Sequence, residues 1–554
     1  MQKESAKVAR GEAPCTNCLV LSEPRSPEPC KNNKMGLGQR ERGLHGRASN
    51  GPRSESYLPD KLERVGLGRK GGGKAQGEKP ISSPTEFRPF FWGSVGEALD
   101  LHAMRLMVLL AVLLAPMAAS AQQQSDPVLN WNAEEQAAYD TVMRRTFEYF
   151  WTAAEPNSGM ACERVHVDGI YPENDQTVVT TGGTGFGLMA ILAGAHRGYI
   201  TERQAFERFS RIVGFLETAD RFHGAWPHWL YGETGRVKPF WIKDDGGDLV
   251  ETAFLLQGLL AVRQAYADGN KKERKLAQRI DQLWRGVEFD WYTKGTDSLY
   301  WHWSPNYAWQ MNFPVRGFNE CHIMYVLAIV SPTHPVSSSL YSRGWLRQGE
   351  MVQPSNPGPN QGLSRTYHFQ FDHQGEVDLG GPLFWAHYSY LGLDPRGLRD
   401  AAGHYGQEFE NMALINWDWC RRQGDSIAGY GDSSWGLTSS YSVKGYAGHA
   451  PGPNRDLGVI SPTAALSSFP YSPQQSKAAL MHWYKDKPEL LGPYGFYDAF
   501  SDQHDWMLPR YLAIDQGPIV AMMENYRSGY LWSLFMSCPE LNNIPKEAGI
   551  STGY

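Results

Sequence analysis

Hydrophobic and polar positions are grouped in long blocks between residues 122 and 554. Six segments share one plan, a Gly- or Pro-rich polar turn followed by an apolar run rich in small residues. They start near Gly182 (GGTGFGLMAILAGA), Gly247 (GDLVETAFLLQGLLA), Gly317 (GFNECHIMYVLAIV), Gly380 (GGPLFWAHYSYLGL), Ser461 (SPTAALSSFPY) and Gln516 (QGPIVAMMENY). The steps between starts average about 67 residues, enough for two helices and their loops. Most runs are followed by a charged amphipathic stretch: Thr201-ERQAFERFSRIVGFLETAD with its T-x-x-Q capping box, KKERKLAQRIDQLWRGVEF from Lys271, and RDAAGHYGQEFENMALINWDWCRRQ from Arg399. Helices that are apolar nearly all round must be buried, and amphipathic partners can shield them. The pattern predicts an all-α fold, an (α/α)6 toroid of six inner and six outer helices; an open solenoid of helical hairpins is the alternative. In a toroid the inner helices run the same way and their N-terminal turns gather at one mouth.

Composition adds a boundary. Residues 1–103 are rich in Gly, Pro, Ser, Lys and Arg without apolar periodicity, which predicts disorder or a start placed too early. Residues 104–121 read as a secretory signal peptide: Met104-Arg105, the apolar run LMVLLAVLLAPMA, and the cleavage pattern Ala119-Ser-Ala121. The expected order is therefore a leader (1–103), a signal peptide (104–121) and a catalytic domain (122–554), exported to the periplasm or secreted, with no membrane span in the mature form. Basic residues outnumber acidic ones 17 to 12 before residue 104, whereas acidic outnumber basic 47 to 35 from 122 onward. An acidic mature domain argues against nucleic acid as partner. Cys15, Cys18 and Cys30 lie in the leader; Cys162, Cys321, Cys420 and Cys538 are widely spaced and read as buried thiols.

The stretch KDDGGDLVET (243–252) places Asp244, Asp245, Asp248 and Glu251 at the start of the second apolar run. One reading is a helix start, since Asp248 and Glu251 have capping-box spacing. The other is acid/base chemistry, because close carboxylates move one another's pKa apart. Asn319-Glu320 and Asp515 open the third and sixth runs, where Asn319 and Asp515 also read as N-caps. Aromatic residues crowd the same turns: Trp229, Tyr231 and Trp241, then Trp301, Trp303, Tyr307 and Trp309, then Tyr430 and Trp435. Core packing explains many of them singly, but aromatics interleaved with polar turn residues suit sugar rings. Nucleotide-binding signals are weak. The G-x-G-x-x-G at Gly66 lies in the leader with no strand before it, and TTGGTGFG lacks a βαβ context. There is no H-E-x-x-H, and the histidines show no ligand-like spacing, so neither metal nor cofactor is expected.

With these residues in view, the chain resembles the bacterial glucoamylase-like family that includes endo-β-1,2-glucanases, glycoside hydrolase family 144. The resemblance spans about 140 to 540 through TTGGTGFGLMAI, WPHWLYGETG, KDDGGDLVETAF, YWHWSPNY, RGFNEC, GGPLFWAHYSYLGLDPRGL, SPTAALSSFPY, YGFYDAF and AIDQGPI. It implies an (α/α)6 fold and cleavage of β-1,2-glucan to sophorooligosaccharides. By motif, the family's essential acids correspond to Asp244, Asp248, Glu251 and Glu320; Asp515 is a candidate from related toroidal enzymes. The expected mechanism is inverting, with Glu320 as acid because apolar Phe318 and Cys321 flank it, and Asp515 or Asp244 as base. Asp248 and Glu251 are expected to bind the reacting sugar, and Trp229, Trp241, Trp303, Tyr307 and Trp435 to form sugar platforms. The competing readings are a non-catalytic glucan-binding protein and a hydrolase of another β-glucan.

Overall fold

The computed structural model describes residues 130–171, 175–349, 351 and 379–553. The expectations for residues 1–103 and 104–121 lie outside the described residues.

The apolar runs form helices where they are long enough to do so. Thr181–His196 (α2), Leu249–Tyr266 (α4) and Ala513–Ser528 (α10) are buried along most of their length, as helices lacking a polar face must be. The third run is helical only from His322 to Val330 (α6), because Asn319 folds the chain just before it, accepting from the Cys321 N–H at 2.9 Å. The fifth is a five-residue helix, Pro462–Leu466 (α8).

The fourth run differs from the helix expected. It makes two 3-10 turns, Leu383–Ala386 and Tyr388–Tyr390, after Pro382. Buried Gln257 on α4 clamps this segment, donating to the Tyr388 carbonyl (2.9 Å) and accepting from the Gly392 N–H (2.6 Å). The Ile323 N–H at the start of α6 donates to Ser389 Oγ at 3.0 Å. Tertiary hydrogen bonds thus take the place of α-helical ones, in a segment whose bulky aromatics must all find space in the core.

The amphipathic stretches form Glu202–Leu216 (α3), Lys271–Arg285 (α5) and Tyr405–Gln423 (α7). The capping box at Thr201 and Gln204 is complete. The last of these stretches starts at Tyr405 rather than Arg399, because Arg399 pairs with Ser551 before the helix begins. Ala133–Trp151 (α1), Pro473–Asp486 (α9) and Tyr530–Met536 (α11) complete the longer helices.

Packing follows the order of the chain. α2 lies between α4 and α10, α4 meets α6, α6 meets the Tyr388–Tyr390 turn, and α8 meets α10. The fourth segment is tied to the chain after α8 by His387 to Ser468 (3.1 Å) and by the Tyr471 hydroxyl to the Ala386 carbonyl (2.9 Å). The apolar segments therefore form a closed circuit of neighbours, and α1 packs outside it against α2, α9 and α10. α2 and α4 approach so closely that a Cβ at Gly185 would stand 2.2 Å from the Phe254 carbonyl, and one at Gly258 2.1 Å from that of Gly185. This contact explains the small residues in both runs.

Short β-ribbons cover the helix starts. Val178–Thr180 pairs with Trp229–Tyr231, and Gly247–Asp248 pairs with His302–Trp303. The four cysteines after residue 122 are all buried and unpaired, as expected. No helix among the described residues is long and apolar enough to cross a membrane.

Candidate active site

The acids of KDDGGDLVET divide their roles residue by residue. Asp248 is the N-cap of α4, its Oδ1 accepting the Glu251 N–H at 2.9 Å. The reciprocal half of a capping box is missing, because Glu251 points away and accepts the Gly182 N–H of α2 at 2.8 Å. A Cβ at Gly182 would come within 2.5 Å of that carboxylate oxygen, so only glycine permits the contact. Asp245 turns outward to accept from Ser304 and from Asn306, the latter at 2.6 Å. Asp244 is buried at the end of a tight turn closed by its N–H to the Trp241 carbonyl at 2.9 Å.

Two histidines enter this cluster, His228 from a loop and His302 from the ribbon strand paired with Gly247–Asp248. His228 Nδ1 lies 2.9 Å from Asp248 Oδ2 and 4.0 Å from Asp244 Oδ2, while its Nε2 lies 3.9 Å from Glu251 Oε1. His302 Nε2 lies 3.2 Å from Asp244 Oδ2 and 3.7 Å from Asp248 Oδ2. Trp301 adds an indole N–H to Asp248 Oδ2 at 3.0 Å. His228 is fixed from both ends: its carbonyl accepts the Thr181 N–H (3.1 Å) and its ring stacks on Phe240 at 4.1 Å.

Charge balance follows from these contacts. Burial opposes the imidazolium, but the carboxylates of Glu251, Asp248 and Asp244 outweigh it and raise His228 to about 10. His302 is raised by Asp244 and Asp248, against burial. The same cations hold Asp244 below its usual range despite desolvation. For Glu251 desolvation wins and pushes the carboxyl to about 7, against the pull of His228 and the Gly182 N–H. His228 Nδ1 and one oxygen each of Asp244 and Asp248 converge within 4.8 Å, a spacing that a cation could span. His228, raised to about 10, already supplies positive charge there.

Glu320 is half-buried in the turn before α6. Burial pushes its carboxyl to about 7, with a further contribution from the nearby Glu251 charge. Asp515 sits inside the first turn of α10, not at its cap, which is Leu512. Its Oδ1 accepts from the Tyr388 hydroxyl at 3.4 Å, and its carboxyl meets that of Asp498. Tyr388 also feels the charge of Glu320. The five acids predicted from sequence therefore all lie at the N-terminal ends of buried helices.

The aromatic platforms divide. Trp241 is 47% exposed, and Tyr231 is exposed as well. Trp303 and Tyr307 are half-buried. Trp229 is half-buried too, with the Arg164 and Lys238 cations about its ring at 5.8 and 5.9 Å. Trp435 is a correction: it is fully buried, and its indole N–H donates to the Gln475 carbonyl at 3.2 Å, which removes it from any sugar-facing surface. Its neighbour Tyr430 is likewise buried, hydrogen-bonded to Asp456. Asp432 of that turn is exposed, while Ser434 and the aromatics turn inward. Sequence reasoning gave no role to His228, His302, Tyr388 and Asp498, and read Trp301 only as one of the crowding aromatics; each stands in or beside one of the quoted motifs, which was the available signal.

A helix-rich chain with acids gathered at the starts of its buried helices defines the class as glucoamylase-like, and the chain belongs to that family. The family model Glycoamylase, described as putative glucoamylase, matches residues 312–539. The chain is 59% identical to an endo-β-1,2-glucanase from Chitinophaga pinensis solved with sophorotriose and glucose. The match covers 75% of this chain and 98% of that one, with a TM-score of 0.72. It is 43% identical over 413 residues to an exo β-1,2-glucooligosaccharide sophorohydrolase (non-reducing end) from Parabacteroides distasonis. That match covers 73% of this chain, which spans only 56% of the length of that relative. An endo-β-1,2-glucanase from Talaromyces funiculosus, at 13% identity and a TM-score of 0.53 over 76% of this chain and 92% of that one, shares the fold.

Proposed function

We propose that this protein is an endo-acting glycoside hydrolase that cleaves β-1,2-glucan to sophorooligosaccharides, exported to the periplasm through the signal segment 104–121, with its helix circuit closed as an (α/α)6 toroid. The observation that carries the reading is Glu320: a half-buried carboxyl raised to about 7, near Glu251 and near two aspartates, Asp248 and Asp244, that pair with His228 and His302. A carboxyl in that state holds a proton near neutrality and can give it to a leaving glycosidic oxygen. The high identity to an endo-β-1,2-glucanase supports the substrate.

In this mechanism Glu320 protonates the departing oxygen while a carboxylate on another inner helix takes a proton from the attacking water. Asp515 is the proposed base and Asp244 its rival. Asp244 stays ionised, yet it is enclosed by His302 and His228. Asp248 and Glu251, fixed by His228 and by the α2 start, hold the reacting sugar. Exposed Trp241 and half-buried Trp303 supply faces for neighbouring sugars. Incubation of the purified protein with linear β-1,2-glucan tests the reading: a ladder of sophorooligosaccharides is expected. Release of sophorose alone from chain ends would favour the exo action named for the Parabacteroides distasonis relative. Binding without cleavage would reduce the site to a glucan receptor.

A further inference from the structure

Asp498 and Asp515 form a further group of buried acids among the described residues. Asp515 opens α10; Asp498 lies in the chain segment before it, its N–H donating to the Arg510 carbonyl at 3.0 Å. Asp498 Oδ2 accepts the Tyr441 N–H at 2.7 Å, and Asp515 Oδ1 accepts from the Tyr388 hydroxyl. The remaining oxygens, Asp498 Oδ1 and Asp515 Oδ2, are buried with no hydrogen-bond donor among the described residues, and the two carboxyls lie close enough for the charge of Asp498 to act on Asp515. Two buried carboxyls so placed relieve their repulsion when one carries a proton and donates it to the other. No basic side chain forms an ion pair with either acid among the described residues. The titratable groups facing the pair are Glu163, itself paired with Arg164, and the phenols of Tyr388 and Tyr446.

We propose that Asp498 is a positioning residue for the hydrolytic reaction: its carboxyl shares one proton with Asp515 and holds that residue ready to take a second proton from the attacking water. The proposal rests on the hydrolase reading above. Burial supports it by pushing Asp498 to about 6 and Asp515 well above the usual carboxylate range, so that near neutrality the pair carries one negative charge rather than two. In the step itself, the water oxygen bonds to the anomeric carbon as its O–H bond breaks, that proton passes to Asp515, and the proton Asp515 held passes across to Asp498. The glycosidic C–O bond breaks toward the leaving oxygen, which takes the Glu320 proton. Turnover leaves Glu320 ionised and the pair doubly protonated, and return of one proton through solvent restores both.

The test compares wild type, Asp498→Asn and Asp515→Asn on linear β-1,2-glucan. The amide introduced by Asp498→Asn can still donate to Asp515 but cannot share a proton, so Asp515 ionises more readily. Asp498→Asn should lower kcat about tenfold or more, leave KM within about threefold, and move the acid limb of the pH profile down by about one unit. A second readout needs no activity. A raised carboxyl binds more protons folded than unfolded, so it makes stability fall as pH rises from the unfolded value near 4 toward the folded value. The Tm of wild type should show that fall between about pH 4 and 7, and either substitution should flatten it. Unchanged kcat and pH profile in Asp498→Asn, or lost kcat with an unmoved limb and an unflattened Tm slope, would overturn the proposal. If Asp498→Asn does not fold, the Tm slope of Asp515→Asn decides. An inactive wild type would instead overturn the hydrolase reading, while the Tm slopes still report whether the proton is shared.

Discussion

At the scale of single residues, Glu320 is the proposed proton donor. Glu320→Gln keeps the size of the side chain and removes the transferable proton, so kcat should fall by about two orders of magnitude or more on β-1,2-glucan. Stability should move the other way. Because the folded carboxyl is raised to about 7, it binds more protons folded than unfolded from its ordinary value upward, and its stabilising contribution is lost as pH rises through about 7. The amide has no charge to desolvate, so Glu320→Gln should melt above wild type at pH 8, measured by calorimetry. For the same reason, wild-type kcat/KM should decline as pH rises through about 7, with Glu251 contributing to the same limb. The positions of Asp244, Asp248, Glu251, Glu320 and Asp515 were legible in the sequence because each sits where a polar turn gives way to an apolar run. The histidines were not, since His228 and Asp248 meet through a loop 20 residues away and His302 joins by ribbon pairing. Trp435 failed for the opposite reason: local pattern shows a polar turn but not which side chain turns inward.

Among the helices, the site depends on how α2, α4, α6 and α10 start. Asp248 is both a cap and a partner of His228 and Trp301, so the two readings of KDDGGDLVET are compatible. Asp248→Ala should cost at least about 1 kcal/mol from the cap alone, more from the stranded His228, and chemical denaturation would measure it. The α2–α4 crossing is a second point of control. Gly258→Ala places a methyl against the Gly185 carbonyl and should destabilise by about 1–3 kcal/mol. It should also lower activity, because separating α2 from α4 pulls the Gly182 N–H away from Glu251. Helix periodicity predicted these elements well where a run was long and uniformly apolar. It failed at Gly380–Leu393, where Gln257 and Ser389 hold the backbone in 3-10 turns through contacts no local pattern encodes.

Over the whole molecule, the circuit of buried segments brings acids from distant parts of the chain to the same ends of their helices. This placement is what a glycosidase needs: a proton donor and a water-activating group approaching a bond from different elements. Export is the other whole-chain expectation. Mass spectrometry of secreted protein should find an N-terminus at or near Gln122, and a secreted form retaining residues 1–103 would contradict it. The most direct test of the central claim is NMR observation of the purified protein acting on linear β-1,2-glucan, following the anomeric signals of the first products. The account predicts sophorooligosaccharides released initially as the α-anomer. Initial release of the β-anomer would contradict the inverting assignment of Glu320 and Asp515, and an unchanged polymer would contradict the function itself.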